Sequence, residues 1–196
     1  MSLLLETIKI EDGNIENIAY HQLRFDKSRK ELFNISHNTD LYSLIKAPQK
    51  GLFRCRILYD KEIRSIEYIP YIAKEIKKLK IITSNIDYRY KYTDRVELNS
   101  LLEIESEYDE IIIEKNGYLT DTTISNIAFY DGSKWQTPTY PLLEGTVRAK
   151  LLDEGFLHKK KIKKEELKNY SKIALMNSMI GFKILEVSLD DLIIKT

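Results

Sequence analysis

Hydrophobic and polar positions alternate in the opening segment Leu4-Leu5-Glu6-Thr7-Ile8-Lys9-Ile10, which reads as a strand ended by the turn pair Asp12-Gly13. From residues 17 to 33, Ile18, His21, Phe25 and Leu32 recur at roughly helical spacing, so a helix follows the turn. A second short helix is predicted over residues 41–45, closed by Pro48 and Gly51. Alternation returns over residues 52–59, with Phe53, Cys55, Ile57 and Tyr59 on one face and Arg54 and Arg56 on the other. Residues 63–71 read as its hairpin partner across Asp60-Lys61, which completes a small α+β unit.

Residues 70–84 change character, with Lys74, Lys77, Lys78 and Lys80 in quick succession, and are the candidate connection between two lobes. Beyond them Lys91 stands in a tyrosine-rich segment, and a helix is predicted over residues 95–106. Three strands are predicted next, over residues 110–115, 122–130 and 134–137, joined by turn signals at Asn116-Gly117 and Asp131-Gly132. A helix over residues 146–153, a short one near 165–169 and an apolar run over 173–176 complete the pattern.

Composition narrows the function classes. Lys and Arg number 31 against 30 Asp and Glu, so no global field draws the chain to nucleic acid or to anionic lipid. The basic cluster at residues 158–164 is followed at once by Glu165-Glu166 and is expected to be a solvated face rather than an RNA contact. A single cysteine, Cys55, rules out an internal disulfide or a thiolate cage, and the three histidines show no metal-binding spacing, so no metal is expected. No apolar run approaches the length of a membrane helix and the start lacks a leader, which points to a cytoplasmic protein. The seven glycines are too dispersed for a dinucleotide or P-loop fingerprint.

Two segments suggest chemistry. In Leu142-Leu143-Glu144-Gly145-Thr146-Val147-Arg148 a turn glycine opens a helix whose first amides point outward at its positive end, an anion cup. Lys91 lies among Tyr88, Tyr90 and Tyr92, where lost hydration would favour a nucleophilic neutral amine. Each has an ordinary structural reading as well, a helix start and an exposed strand lysine, and neither decides the matter alone.

Their combination does more. His21-Gln22-Leu23-Arg24-Phe25-x-x-Ser28, Tyr90-Lys91-Tyr92-Thr93-Asp94-Arg95, Leu119 to Asn126, Leu143 to Arg148 and Asn177-Ser178-Met179 occur in this order, after a Leu5-Glu6-Thr7-Ile8-Lys9 strand. The set resembles the class IV aminotransferases, the fold-type IV pyridoxal-phosphate (PLP) enzymes, most closely in motif 4-amino-4-deoxychorismate lyase. The resemblance implies an α+β fold, with a small α/β lobe at residues 1–80, a larger β-rich lobe with helices at 85–196 and the cofactor in the cleft between them. It further implies a homodimer acting on a small amino-acid-like substrate.

By the same resemblance, Lys91 matches the lysine that bonds to the cofactor and shuttles protons, and Asp121 the acidic residue that pairs with the pyridine nitrogen. Arg24, Thr146, Val147 and Ser178 match the grip on the phosphate. Asp121 is one methylene shorter than the family's usual Glu, and Val147 replaces a threonine, leaving only its amide. Arg54 and Arg56 are candidates for a substrate dicarboxylate, against the reading of a plain polar strand face. The implied activity is cleavage of aminodeoxychorismate to 4-aminobenzoate and pyruvate, on the route to folate. The alternatives are an aminotransferase of branched-chain or D-amino acids, and a non-catalytic relic of the fold.

Overall fold

In strand β1 (Leu4–Glu11) every second side chain, at Leu4, Glu6, Ile8 and Ile10, is buried, so one face of the strand is committed to a core. This computed structural model describes residues 3–37 and 39–189, which divide into two units. Unit 1 runs up to Ala73 and also takes in Tyr90–Asp94; unit 2 comprises Lys74–Arg89 and the chain from Arg95 onward. The boundary expected from the sequence, between residues 80 and 85, places the Lys91 segment in the larger lobe, whereas here it packs with unit 1.

In unit 1, β1 turns through Asp12-Gly13 into β2 (Asn14–Ile15), and both turn residues have positive φ, 47° and 82°, as a tight two-residue hairpin requires. Helix α1 (Ile18–Phe33) follows, with His21, Phe25, Ser28 and Arg29 buried along one stripe. Asn34 ends it in the left-handed region, where its N–H satisfies the carbonyls of Arg29 and Lys30. A single-turn α2 (Leu41–Leu44) precedes the hairpin of β3 (Leu52–Tyr59) and β4 (Ile63–Pro70). The sheet is antiparallel in the order β2-β1-β3-β4, with Leu4, Ile8, Ile10, Phe25, Cys55, Ile57 and Tyr59 in its core. Each such fully buried side chain stabilises the fold by about 1.5–3 kcal/mol relative to exposure.

Unit 2 is built on β5 (Leu79–Thr83), β6 (Glu110–Lys115), β7 (Tyr118–Thr122), β8 (Asn126–Tyr130), β9 (Trp135–Pro138) and β10 (Leu157–Lys160). They form one sheet in the order β10-β9-β8-β7-β6-β5, and β11 (Lys172–Asn177) joins it on β8, carrying β12 (Gly181–Ile184) at its side. Helix α3 (Val96–Ile104) precedes β6, and α4 (Thr146–Asp153) connects β9 to the parallel strand β10. A six-residue 3-10 turn, Lys164–Asn169, leads into β11. Ile81, Ile112, Leu119, Ile127, Phe129, Leu167, Ile173 and Leu175 make the main core.

The structure differs from the sequence reading at several places, including β7, which begins at Tyr118 ahead of the strand expected from residue 122, and β12, which was not expected. The lysine-rich stretch at 70–84 contains β5, whose buried Leu79 and Ile81 alternate with residues on the wetter face, so the lysines obscured a short strand. The single strand expected over 122–130 is broken, because the Thr122 hydroxyl accepts hydrogen bonds from the amides of Ile124 (3.2 Å) and Ser125 (2.9 Å) and folds the backbone into a turn. The basic cluster supplies β10, an edge strand with His158 and Lys159 exposed, as befits an edge protected by charge. No helix among the described residues is long and apolar enough to cross a membrane.

Candidate active site

The candidate residues fall into two groups, one in each unit. In unit 1 the Lys91 segment is fastened to the start of β1, Leu5 donating its amide to the Lys91 carbonyl (2.9 Å) and Thr93 donating to that of Leu3 (2.9 Å). Tyr90 and Tyr92 flank Lys91 with their rings edge to face, 5.9 Å apart. Below the segment lies Glu6, fully buried on the core face of β1. Arg24 donates to it through Nε (2.9 Å) and Nη2 (2.6 Å), and His21 Nδ1 lies 2.6 Å from the same carboxylate. His21 and Arg24 are three residues apart on α1, so one helix face delivers both to Glu6.

Burial alone would raise the Glu6 pKa, but the Arg24 charge and the hydrogen bonds from His21 and Arg24 overcome it and hold the carboxyl at about 2. His21 shifts downward, chiefly by burial, against the pull of Glu6 and with the added repulsion of Arg24 and Lys91. At neutral pH, Glu6 is therefore an anion, Arg24 its cation and His21 a neutral donor.

Arg54 and Arg56 lie on the other face of the same sheet. Their strand-mates Cys55 and Ile57 share the core face with Glu6, and the register pairs Glu6 with Ile57. Arg56 is bound to Glu67 at 3.0 Å, while Arg54 Nε is buried without a hydrogen-bond partner among the described residues. The structure thus brings Lys91 and Arg24 to one side of unit 1 and leaves the two arginines on the opposite side.

Unit 2 gathers Asp121, Thr146, Val147 and Ser178. Asp121 on β7 is paired with Asn126 on β8. Its carboxylate accepts Asn126 Nδ2 (2.8 Å) and the Leu143 amide (2.9 Å). Burial raises it to about 6; the hydrogen bonds and the Arg148 charge only partly offset that penalty. Arg148 itself is directed elsewhere, donating to Thr137 Oγ1 (3.2 Å) and the Pro138 carbonyl (2.7 Å).

Asn126 also donates to the Leu143 carbonyl (2.8 Å) and so ties the loop before α4 to β8. Gly145 is required by this contact, since a Cβ there would fall 1.9 Å from Asn126 Oδ1. The glycine begins α4, which has no side-chain cap. Its first residue, Thr146, lies with its hydroxyl 3.3 Å from that of Ser178. Asn177 shapes the Ser178 turn by accepting the amides of Met179 and Ile180 while donating to Ser125 Oγ at 2.9 Å. Val147 turns its side chain to the cluster of Ala128, Trp135 and Met176.

Two hydroxyls beside an uncapped helix start suit an anion with several acceptor oxygens, and a buried carboxylate met by neutral donors suits a small cation such as a protonated ring nitrogen. A cavity of about 350 Å³ in unit 2 is walled by Tyr88, Tyr118, Tyr140, Thr120, Leu142 and Lys161 among others, so it includes the chain neighbours of Asp121 and Leu143. A family model described as amino-transferase class IV matches residues 3–187.

The chain belongs to the class IV aminotransferase family.

Within that family it is 41% identical over 184 residues to an uncharacterised protein of Haemophilus influenzae, covering 91% of this chain and 98% of that one. A "putative aminodeoxychorismate lyase" of Schizosaccharomyces pombe is 30% identical over 126 residues, 59% of this chain and 54% of the other. Among solved structures, a "putative 4-amino-4-deoxychorismate lyase" from Haemophilus somnus superposes with a TM-score of 0.85 at 38% identity, over 92% of this chain and 98% of that one. A PLP-bound hypothetical aminotransferase from Mycobacterium tuberculosis has a TM-score of 0.79 at 16% identity, covering 97% of this chain and 83% of that one, a likeness of fold. The mixed α+β architecture with two sheets is that of fold-type IV, and the class IV aminotransferase family is one of PLP-dependent enzymes.

Sequence reasoning did not assign roles to Glu6, His21, Asn126 or Asn177. Glu6 carried a signal, a carboxylate at a position where its strand alternates Leu4, Ile8 and Ile10 on the buried side. The Asn126 role had none, because it depends on β7 and β8 lying side by side and on the loop at Leu143 crossing them.

Proposed function

We propose that the chain is a 4-amino-4-deoxychorismate lyase, releasing 4-aminobenzoate and pyruvate, with Lys91 as its covalent lysine. The observation that carries this reading is Asp121, a buried carboxylate that accepts the Asn126 side-chain amide and the Leu143 N–H and is raised to about 6, surroundings that suit a protonated ring nitrogen. PLP, when bound, supplies an electron sink for charge developing on the substrate. Asp121 keeps the proton on the ring nitrogen. Arg24, the Thr146 and Ser178 hydroxyls and the Val147 amide hold the phosphate. Lys91, set between Tyr90 and Tyr92, takes the proton that the substrate loses. Two chains associate as a homodimer in this scheme.

The lyase is favoured over a transaminase of branched-chain or D-amino acids by the names of the relatives at 30% and 38% identity, since the aminotransferase neighbours at 16% support the fold alone. Arg54 and Arg56, on the sheet face opposite Lys91 and Arg24, are not assigned to the substrate acid in this scheme, and Arg56 is paired with Glu67. The test is pyruvate release from aminodeoxychorismate by the PLP-loaded protein without added keto acid, with Lys91→Ala abolishing it. Strict dependence on a keto acid would instead establish the transaminase. A preparation that takes up no PLP and shows no borohydride-reducible link would establish a non-catalytic relic.

A further inference from the structure

A carboxylate on the core face of β1 is costly, and a leucine would fill the place between Leu4 and Ile8 without any charge to compensate. Glu6 is nonetheless fully buried, and three donor hydrogens converge on it from one face of α1. Its contact with Arg24 is side-on and two-pronged, through Nε and Nη2, which fixes both the plane of the guanidinium and the direction of its other edge. His21 anchors the carboxylate in turn, and its own burial on α1 leaves it little freedom. The Arg24 side chain is 12% exposed, so a long flexible cation is held at the margin of a core in one orientation.

We propose that Glu6 is a positioning residue: supported by His21, it aims the Arg24 guanidinium at the phosphate of the cofactor. The inference rests on the reading of Arg24 as part of the phosphate grip. Two opposing effects are at work. Glu6 is itself an anion and subtracts from the field Arg24 offers a phosphate, while a guanidinium locked in place loses less side-chain entropy when it binds. If orientation dominates, removing the Glu6 charge weakens phosphate binding; if field dominates, removing it tightens binding.

Glu6→Gln keeps the shape but offers an amide N–H₂ to donors that need an acceptor. Equilibrium binding of PLP and of pyridoxal, which lacks the phosphate, would be followed by visible absorbance in wild type, Glu6→Gln and Arg24→Ala. PLP affinity is expected to fall about tenfold or more in Glu6→Gln, the scale of one charge-assisted hydrogen bond, with pyridoxal affinity changing less than about twofold. Equal losses for both ligands would show a merely structural role and overturn the proposal, as would tighter PLP binding. Should Glu6→Gln not fold, His21→Asn serves in its place, with a smaller loss of the same PLP-to-pyridoxal ratio, about threefold, and an unchanged ratio counting against the proposal. If Arg24→Ala shifts the ratio and Glu6→Gln does not, the phosphate reading of Arg24 stands and the positioning role of Glu6 fails. If Arg24→Ala leaves the ratio unchanged, the reading of Arg24 itself fails and the inference with it.

Discussion

Glu6 in unit 1 and Asp121 in unit 2 are both fully enclosed carboxylates, yet one is held at about 2 and the other rises to about 6. Burial acts on both in the same direction. The difference lies in what each meets. Glu6 has a guanidinium against it in a two-pronged contact, whereas Asp121 has an amide side chain and a backbone N–H. A carboxylate bound directly to a cation inside the fold is part of the scaffold, and one hydrogen-bonded to neutral dipoles, with only a partial offset from the Arg148 charge, is prepared for a cation from outside.

The sharpest way to break the comparison is to remove each acid in turn. Glu6→Ala leaves Arg24 without its anion and His21 without its acceptor, and should cost about 3–5 kcal/mol in urea unfolding of the cofactor-free protein at pH 7. A loss below about 1 kcal/mol would mean that the pair contributes no more than a surface bridge.

The pH dependence should have opposite signs. Glu6, lowered from 4.5, contributes stability that is fully present above 4.5 and is lost as pH falls toward 2, amounting to about 3 kcal/mol. Asp121, raised from 3.8, favours the folded state below 3.8 and loses that advantage as pH rises through about 6, again about 3 kcal/mol. Asp121→Asn should therefore gain on wild type as pH increases from 4 to 6, in denaturation measured without PLP. A difference curve flat over that window would show that Asp121 is solvated.

Gly145→Ala probes how Asp121 is held. The new methyl collides with Asn126, which must release Asp121 or Leu143, at a cost of about 1–3 kcal/mol. In an Asn126→Ala background the added cost should fall below about 1 kcal/mol, a coupling that a double-mutant cycle would measure. The smallest effect is expected at Arg56→Ala, whose partly exposed pair with Glu67 is worth less than about 1 kcal/mol in thermal unfolding.

Much of the architecture was legible from pattern. Period-two alternation marked β1 and β3, the helical recurrence of His21 and Phe25 marked α1, and Asn116-Gly117 takes the positive φ values, 54° and 77°, that its hairpin turn requires. What pattern missed were short strands hidden by charge, β5 and β10, and the break at Thr122, where a side-chain hydroxyl outcompetes the sheet for backbone amides. The site was legible as residue types in order but not as partnerships. Nothing in the spacing shows that Glu6 sits beneath Arg24, or that Asn126 bridges Asp121 and the loop at Leu143.

By itself the sequence determined which side chains were available, a lysine among tyrosines, an aspartate in the Leu119 to Asn126 motif, a glycine at a helix start, because local spacing and residue chemistry are properties of the chain. Only tertiary structure decided the ionisation of the two acids, because desolvation and charge partners come from strands and helices distant in sequence, and these make Glu6 a permanent anion and leave Asp121 near its balance point.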